Sequence, residues 1–408
     1  MAELITGYQL YSHEVKLQTV QTSDEIIDVV DTMLYDAIEQ GVSDIHLQPH
    51  EYVLLVRFRR DGHLYDAHTL PQAQMPLVIS RIKVLAQMDI AQRRLPQDGR
   101  FRVAFYGNDG GERTIDVRVA SFPSVHGEKL VLRILDQAMR LLGLNDLGLA
   151  PTMRETLMTT IKAPHGLFLV TGPTGCGKTT MLYALLTLLN ERSKNMVTIE
   201  DPVEYQLAGI TQSQINVRAG FTFASGLRAL LRQDPDIIMI GEIRDKETAQ
   251  IAIEAALTGH LVLSTLHTND APSAPLRLVE MGVPPYLLAA TLTGVLAQRL
   301  VRRLCKVCSK QASVNPGEQE FLRAHKIALE QAPQAVGCNQ CAGIGYSGQM
   351  GVFELLVMDS VRGVQVAAGG HDFAAFLRGQ GMPALVHDGM QKVRDGVTSI
   401  AEVMRLVG

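Results

Sequence analysis

The segment Gly172-Pro-Thr-Gly-Cys-Gly-Lys178-Thr179 constrains this chain more than any other. It fits the GxxxxGK[ST] pattern of a phosphate-binding loop. Its context supports that reading, because the apolar run Gly166–Thr171 precedes it and a helical pattern, Thr180–Asn190, follows. Glycines at this spacing let the backbone curl so that successive N–H groups face a phosphate chain. The start of the following helix adds its positive end. In such a loop Gly172, Pro173, Thr174, Gly175, Cys176, Gly177 and Thr180 surround the phosphates. Lys178 is placed to reach the β- and γ-phosphates of ATP, and Thr179 to offer its hydroxyl oxygen to Mg²⁺. Cys176 is either a small filler or a reactive thiol beside phosphate.

Further apolar runs at Met196–Glu200, Ile237–Glu242 and Leu261–Leu266 read as buried parallel strands separated by helical segments. They predict an α/β domain with a parallel sheet. Two of them end in acids. Asp236-Ile-Ile-Met-Ile-Gly-Glu242 has the form of a Walker B strand, and Val197–Glu204 carries Glu200, Asp201 and Glu204. In a parallel sheet both sets emerge at the carboxyl edge, beside the phosphate loop, where ligands bind. Hydrolysis needs one carboxylate to orient water and another to help hold the metal. Solvated acids at strand ends are the plainer alternative. His260 and His267 flank Leu261–Leu266, either as structural groups or as sensors of the terminal phosphate. Arg228, Arg232 and Arg244 are expected near the same edge, contacting phosphate, a neighbouring subunit or surface acids. Arg228 and Arg232 stand i,i+4, on one face of an expected helix.

At 408 residues the chain has room for two or three domains, each with its own core. Residues 1–21 lack periodicity and read as an arm. Thr22-Ser-Asp-Glu25 is a capping box before a helix that ends near Gly41. Val53–Arg60 alternates, with Val56 and Phe58 on one face and Arg57 and Arg59 on the other, and Asp61-Gly62 suits a hairpin turn. Pro76–Met88 reads as a helix. The strand Arg113–Ala120 turns Ile115, Val117 and Val119 inward. In Lys129–Leu135, Arg133 shares a face with Val131 and Leu135 and needs a partner. Residues 22–137 therefore form a smaller α+β domain, 138–150 a linker, and 151–408 the α/β domain, with helices in 371–408.

Within 300–350 the pairs Cys305-x-x-Cys308 and Cys338-x-x-Cys341 bracket the spacer 309–337. Two such knuckles complete a tetrahedral Cys₄ zinc site, which is structural because no coordination position stays open. A redox pair or buried thiols are the alternatives. The spacer implies an inserted helix near Glu318–Ala328. Arg299, Arg302, Arg303, Lys306 and Lys310 make a modest basic patch beside it. With a net charge of −4, no Trp and 5% aromatics, bulk charge and stacking do not point to nucleic acid. No apolar run reaches the ~20 residues of a membrane-spanning helix. The N-terminus has no signal pattern. A cytoplasmic protein is expected, unless a partner tethers it to a membrane.

Several segments together resemble the hexameric ATPases of type II secretion and type IV pilus assembly. They are GPTGCGKTT, TIEDPVEY, LRALLRQDPDIIMIGEIRDKETAQIAIEAALTGH and LVLSTLHTNDA, with SDIHLQPHE, RFRRDG, RLPQDGR and VHGEKLVLRIL upstream. The resemblance covers about residues 22–408. It implies a RecA-like domain in two-domain protomers, six to a ring. It places Glu242 at the catalytic glutamate, Glu200, Asp201 and Glu204 in an acidic box, and His260 and His267 in a histidine box. Arg118 and Arg133 match first-domain arginines that reach the γ-phosphate, and Arg228 and Arg232 match arginines of the second domain. The Cys₄ element is similar to that of the assembly and secretion branch, not the retraction branch. Cys176 stands where serine is usual, and Arg60 where an apolar residue is usual. Members of this branch usually carry a further N-terminal domain that docks on an inner-membrane partner, whereas here residues 1–21 precede the first shared helix. The implied function is a motor that drives pilin assembly or protein secretion through an inner-membrane platform protein. A pilus-type motor for DNA uptake and a nucleic-acid translocase are the alternatives.

Overall fold

The computed structural model describes residues 9–10, 23–107, 112–136, 142–341, 343–368 and 372–407. It divides into two compact units, 1–140 and 141–408. The expected capping box begins at Thr22, outside the described residues.

The first unit is built on a seven-stranded sheet. Its strands are β1 (Gln9–Leu10), β2 (Asp44–Pro49), β3 (Val53–Arg60), β4 (His63–Pro71), β5 (Gln97–Tyr106), β6 (Glu112–Ser124) and β7 (Gly127–Asp136), in the order β1-β5-β6-β7-β2-β3-β4. All neighbours are antiparallel except β1, a short strand within the expected arm that runs parallel to β5. Period-2 alternation gives the sheet one apolar face. The helices Ser23–Glu39 and Met75–Leu85 supply the other side of the core. Ile26, Val29, Val30, Met33 and Ala37 are buried, as their helical spacing requires, and the chain turns away at Gly41 with φ +67°. One strand face needs correction. On β7 the buried residues are Leu130 and Leu132, so Val131, Arg133 and Leu135 lie on the more exposed face. Arg133 nevertheless finds a partner there, donating from Nε to Asp44 at 3.0 Å.

In the second unit a seven-stranded sheet has the order β10-β9-β11-β12-β8-β13-β16. The strands are β8 (Gly166–Thr171), β9 (Met196–Glu200), β10 (Thr211–Gln214), β11 (Ile237–Ile240), β12 (Leu261–Leu266), β13 (Leu292–Leu304) and, beyond a small two-stranded sheet of β14 (Lys310–Ser313) and β15 (Gln331–Gln334), β16 (Tyr346–Val357). All neighbours run parallel but for β16, which pairs antiparallel with β13. β8, β11 and β12 are buried on both faces, which is why they read as unbroken apolar runs. The long β13–β16 pair is not announced by the sequence, since β13 is buried almost throughout and shows no alternation. Of the expected linker, 137–141 lie outside the described residues, while Leu144 and Leu147 are buried in the second unit's core. The spacer between the cysteine pairs does carry a helix, Pro316–Ala324, shorter at its end than expected because the chain turns at His325 and Lys326. No helix among the described residues is long and apolar enough to cross a membrane.

The last helix, Ile400–Val407, is locked to β13 by charge. Glu402, 2% exposed, accepts hydrogen bonds from the Arg302 and Arg405 side chains, and Arg302 also stacks over Tyr346. Burial raises the Glu402 carboxyl, but the two arginines outweigh it and hold it down at about 2. A depressed carboxylate stabilises the fold above its ordinary value of 4.5 and loses that contribution as pH falls towards 2. Glu402→Ala is therefore expected to destabilise the second unit by roughly 3 kcal/mol at pH 7. Denaturant melts should show that deficit flat between pH 5 and 7 and shrinking below pH 4.5.

Candidate functional site

Four strand ends meet at the carboxyl edge of the second sheet. Beyond β8 the backbone takes the left-handed region at Gly172, Gly175 and Gly177, with φ of +151°, +76° and +86°. Close packing adds a second demand for glycine. A Cβ on Gly172 would lie 2.4 Å from the Gln298 carbonyl oxygen, and one on Gly177 would lie 2.7 Å from Gln298 Nε2. Gln298 braces the loop from beneath, donating from Nε2 to the Cys176 carbonyl at 2.8 Å. Its neighbour Arg299, 8% exposed, donates to the Asn269 carbonyl at 2.6 Å and so joins β13 to the segment after β12. The helix Lys178–Leu189 starts on Gly177 without a side-chain cap. A helix start without a side-chain cap is the arrangement that binds anions. Lys178 folds back over the loop and donates to the carbonyls of Gly172 and Pro173, at 2.8 and 3.0 Å. Burial lowers its pKa, against the pull of Cys176 and Glu242. Cys176 is buried within the loop, and burial pushes its thiol up, which suits a filler better than a reactive thiolate.

A cavity of about 130 Å³ opens beside this loop, lined by Lys178, Thr179, Glu200, Asp201, Glu204, Glu242 and His267 among others. Glu242 lies in the loop after β11. Thr265 on β12 anchors that loop by donating to the Gly241 carbonyl at 2.7 Å. The Glu242 carboxylate faces His267 Nε2 at 3.5 Å on one side and pairs with Arg244 on the other. Glu200 is different in kind. It is 2% exposed and accepts hydrogen bonds from Tyr183, Thr198 and Gln212. Those three bonds hold its carboxyl group still, so it supports the wall. Asp201 and Glu204 follow on the loop. The Thr179 hydroxyl and these carboxylates are hard oxygen donors, which fit Mg²⁺.

Two expectations need revision, and Arg228 meets the plainest of the alternatives left open for it. His260 lies at the amino end of β12, where Nδ1 bonds the Ala255 carbonyl at 2.9 Å. Six residues of strand, at ~3.3 Å each, set it about 20 Å from the edge that carries His267. Arg228 is on the helix Phe223–Leu230 and pairs with Glu247 on the surface, and neither it nor Arg232 lines the cavity. Arg232 lies beyond that helix, so the two do not share a helix face. The sequence reading also passed over Tyr183, Gln212 and Gln298 as site residues. Gln298 and Arg299 did leave a trace, as polar residues interrupting the apolar run 286–301. In the first unit, Arg118 and Arg133 line a separate cleft.

The four cysteines converge as well. All Sγ atoms of Cys305, Cys308, Cys338 and Cys341 lie within 4.8 Å of one another. Cys305–Cys338, Cys308–Cys341 and Cys338–Cys341 are 3.9, 3.8 and 3.7 Å apart. A tetrahedron with Zn–S bonds of ~2.3 Å has edges of about 3.8 Å. Amides of Gly337, Cys338 and Gly345 point at the sulfurs, as they do towards thiolates. The residues fit zinc.

Comparison with known proteins decides the family. The family described as "Type II/IV secretion system protein" matches residues 19–405. The chain belongs to the type II/IV secretion system protein family. Type II secretion system protein E of Pseudomonas aeruginosa is 47% identical over 383 residues, covering 93% of this chain and 75% of that protein. Type II secretion system ATPase E of Vibrio cholerae is 45% identical with the same coverage. Among solved structures, the Legionella pneumophila ATPase DotB superposes with a TM-score of 0.68 at 20% identity, over 98% of each chain. The pilus retraction motor PilT, solved with ADP, gives 0.60 at 25% identity over 92% of this chain and 95% of its own. These neighbours share the fold of this chain.

Two measurements follow. Gly172→Ala forces a Cβ against the Gln298 backbone, so calorimetry should find ATP affinity reduced at least a hundredfold in a protein whose far-ultraviolet dichroism is unchanged. Metal analysis should find about one zinc per chain, lost in Cys338→Ser, and chelation should lower the melting temperature of the second unit.

Proposed function

We propose that this chain is an ATP-driven motor of a bacterial envelope machine, working as a ring of six copies at the cytoplasmic face of the inner membrane. The observation that carries the reading is the cavity beside the phosphate loop, where Lys178, Thr179, Glu242 and His267 converge from three strand ends. Binding falls to the loop amides, the helix start and Lys178. Thr179 and the nearby acids would hold Mg²⁺, which would supply charge neutralisation at the phosphate oxygens. Glu242 orients the attacking water, with His267 and Arg244 fixing its carboxylate. Arg118 and Arg133 act on the γ-phosphate, spreading the charge that develops as the bond breaks.

Work requires that ATP stabilise one arrangement of the two units more than ADP does. Loss of the terminal phosphate then releases the arginines and lets the units move. The relatives' type II secretion role supports a platform protein of the inner membrane as the partner. The cysteine cluster favours the assembly or secretion branch over retraction.

Lys178→Ala is expected to lose ATP binding. Glu242→Gln should keep binding within about threefold and lose turnover by at least a hundredfold, since a positioned base contributes roughly 10²–10⁴. Undiminished phosphate release by Glu242→Gln would overturn the assignment.

A further inference from the structure

The outer face of the first sheet follows a rule and breaks it once. Cross-strand neighbours share a face, so opposite charges there attract and like charges repel. Arg102 on β5 stands opposite Asp116 on β6 and bonds it at 2.8 Å. Arg57 on β3 stands opposite Asp66 on β4 and bonds it at 2.8 Å. Between these satisfied pairs runs a row in which Arg100 (β5) is opposite Arg118 (β6), and Arg118 is opposite Arg133 (β7). Three guanidinium groups thus lie side by side on adjacent strands. Only the end of the row is countered, by Asp44 on β2, opposite Arg133. Among the described residues the bonds on this part of the face run from Arg102 to Asp116 and from Arg133 to Asp44, and neither Arg100 nor Arg118 takes part in them.

The row lines a cleft of about 510 Å³, within the size range of ligand sites. Small residues, Gly99, Ala120 and Val131, leave it open, and Asp98 is its one acid. A row of adjacent like charges costs folding energy, and an anion seated on it would remove that cost. Guanidinium forks match phosphate oxygens two at a time.

We infer that Arg100, Arg118 and Arg133 form one phosphoryl-binding comb, in which Arg100 is a ligand-contacting residue alongside the other two. The ligand is a multiply charged phosphoryl group, supplied either by the nucleotide's terminal phosphate or by free phosphate. Only the nucleotide source rests on the function proposed above.

The probe is sodium tripolyphosphate, titrated calorimetrically into the full chain carrying Lys178→Ala, which disables the other phosphate site. Binding is expected. Adding Arg100→Ala should weaken it at least tenfold, the scale of one charge-assisted hydrogen bond. Arg100→Lys should recover part of the loss, and the melting temperature should stay level or rise because a repulsion is removed. No binding to the Lys178→Ala chain, or equal binding after Arg100→Ala, overturns the inference. With the calorimetric loss in hand, Arg100→Ala in the otherwise natural chain assigns the source. At least tenfold slower ATP turnover with unchanged ADP affinity points to the nucleotide. Unchanged turnover points to free phosphate. A Glu242→Gln chain that hydrolyses ATP at full rate would sink the motor reading and leave the calorimetric result standing.

Discussion

The second unit depends on a backbone that no ordinary side chain permits. Residues 172–177 pass between the end of β8 and the start of the helix at Lys178, turning through left-handed conformations while lying against Gln298. Two demands coincide at Gly172 and Gly177, one from the dihedral angle and one from the strand beneath. The result is a curled loop that leads into a helix start with no side-chain cap, with a half-buried ammonium group folded over it. Everything else at that edge is arranged around this anion site.

Parallel pairing makes that arrangement possible. β9, β11 and β12 lie side by side and next to β8, all in one direction, so the loops that leave them share one edge. Glu200, Glu242 and His267 come from the ends of three different strands, separated by long stretches of chain. Their environments then divide the work. Glu200 is buried and saturated with hydrogen bonds, whereas Glu242 keeps an oxygen facing a half-exposed histidine. Carboxylates alike in sequence become a wall support and a water-orienting group.

The first unit and the cysteine element use different physics. One sheet carries apolar residues on one face and charges on the other, and register decides which charges meet. The cysteine element gathers four sulfurs within 4.8 Å of one another, the convergence that a tetrahedral metal site needs.

Much of this was legible in the residues. The phosphate loop, the buried parallel strands, the acids at their ends and the paired cysteines are local patterns, because backbone curl, strand burial and metal knuckles are set over a few positions. The inward faces of β3 and β6 were equally plain, since a half-buried strand must alternate. What the tertiary structure alone decided is pairing over distance. Nothing local says that Gln298 lies under the loop, that β13 and β16 run together, or that three arginines align. Nor does it say that His260 and His267, seven positions apart, end at opposite edges of a sheet. A strand separates its two ends in space by its length, and only its neighbours determine which end is the site.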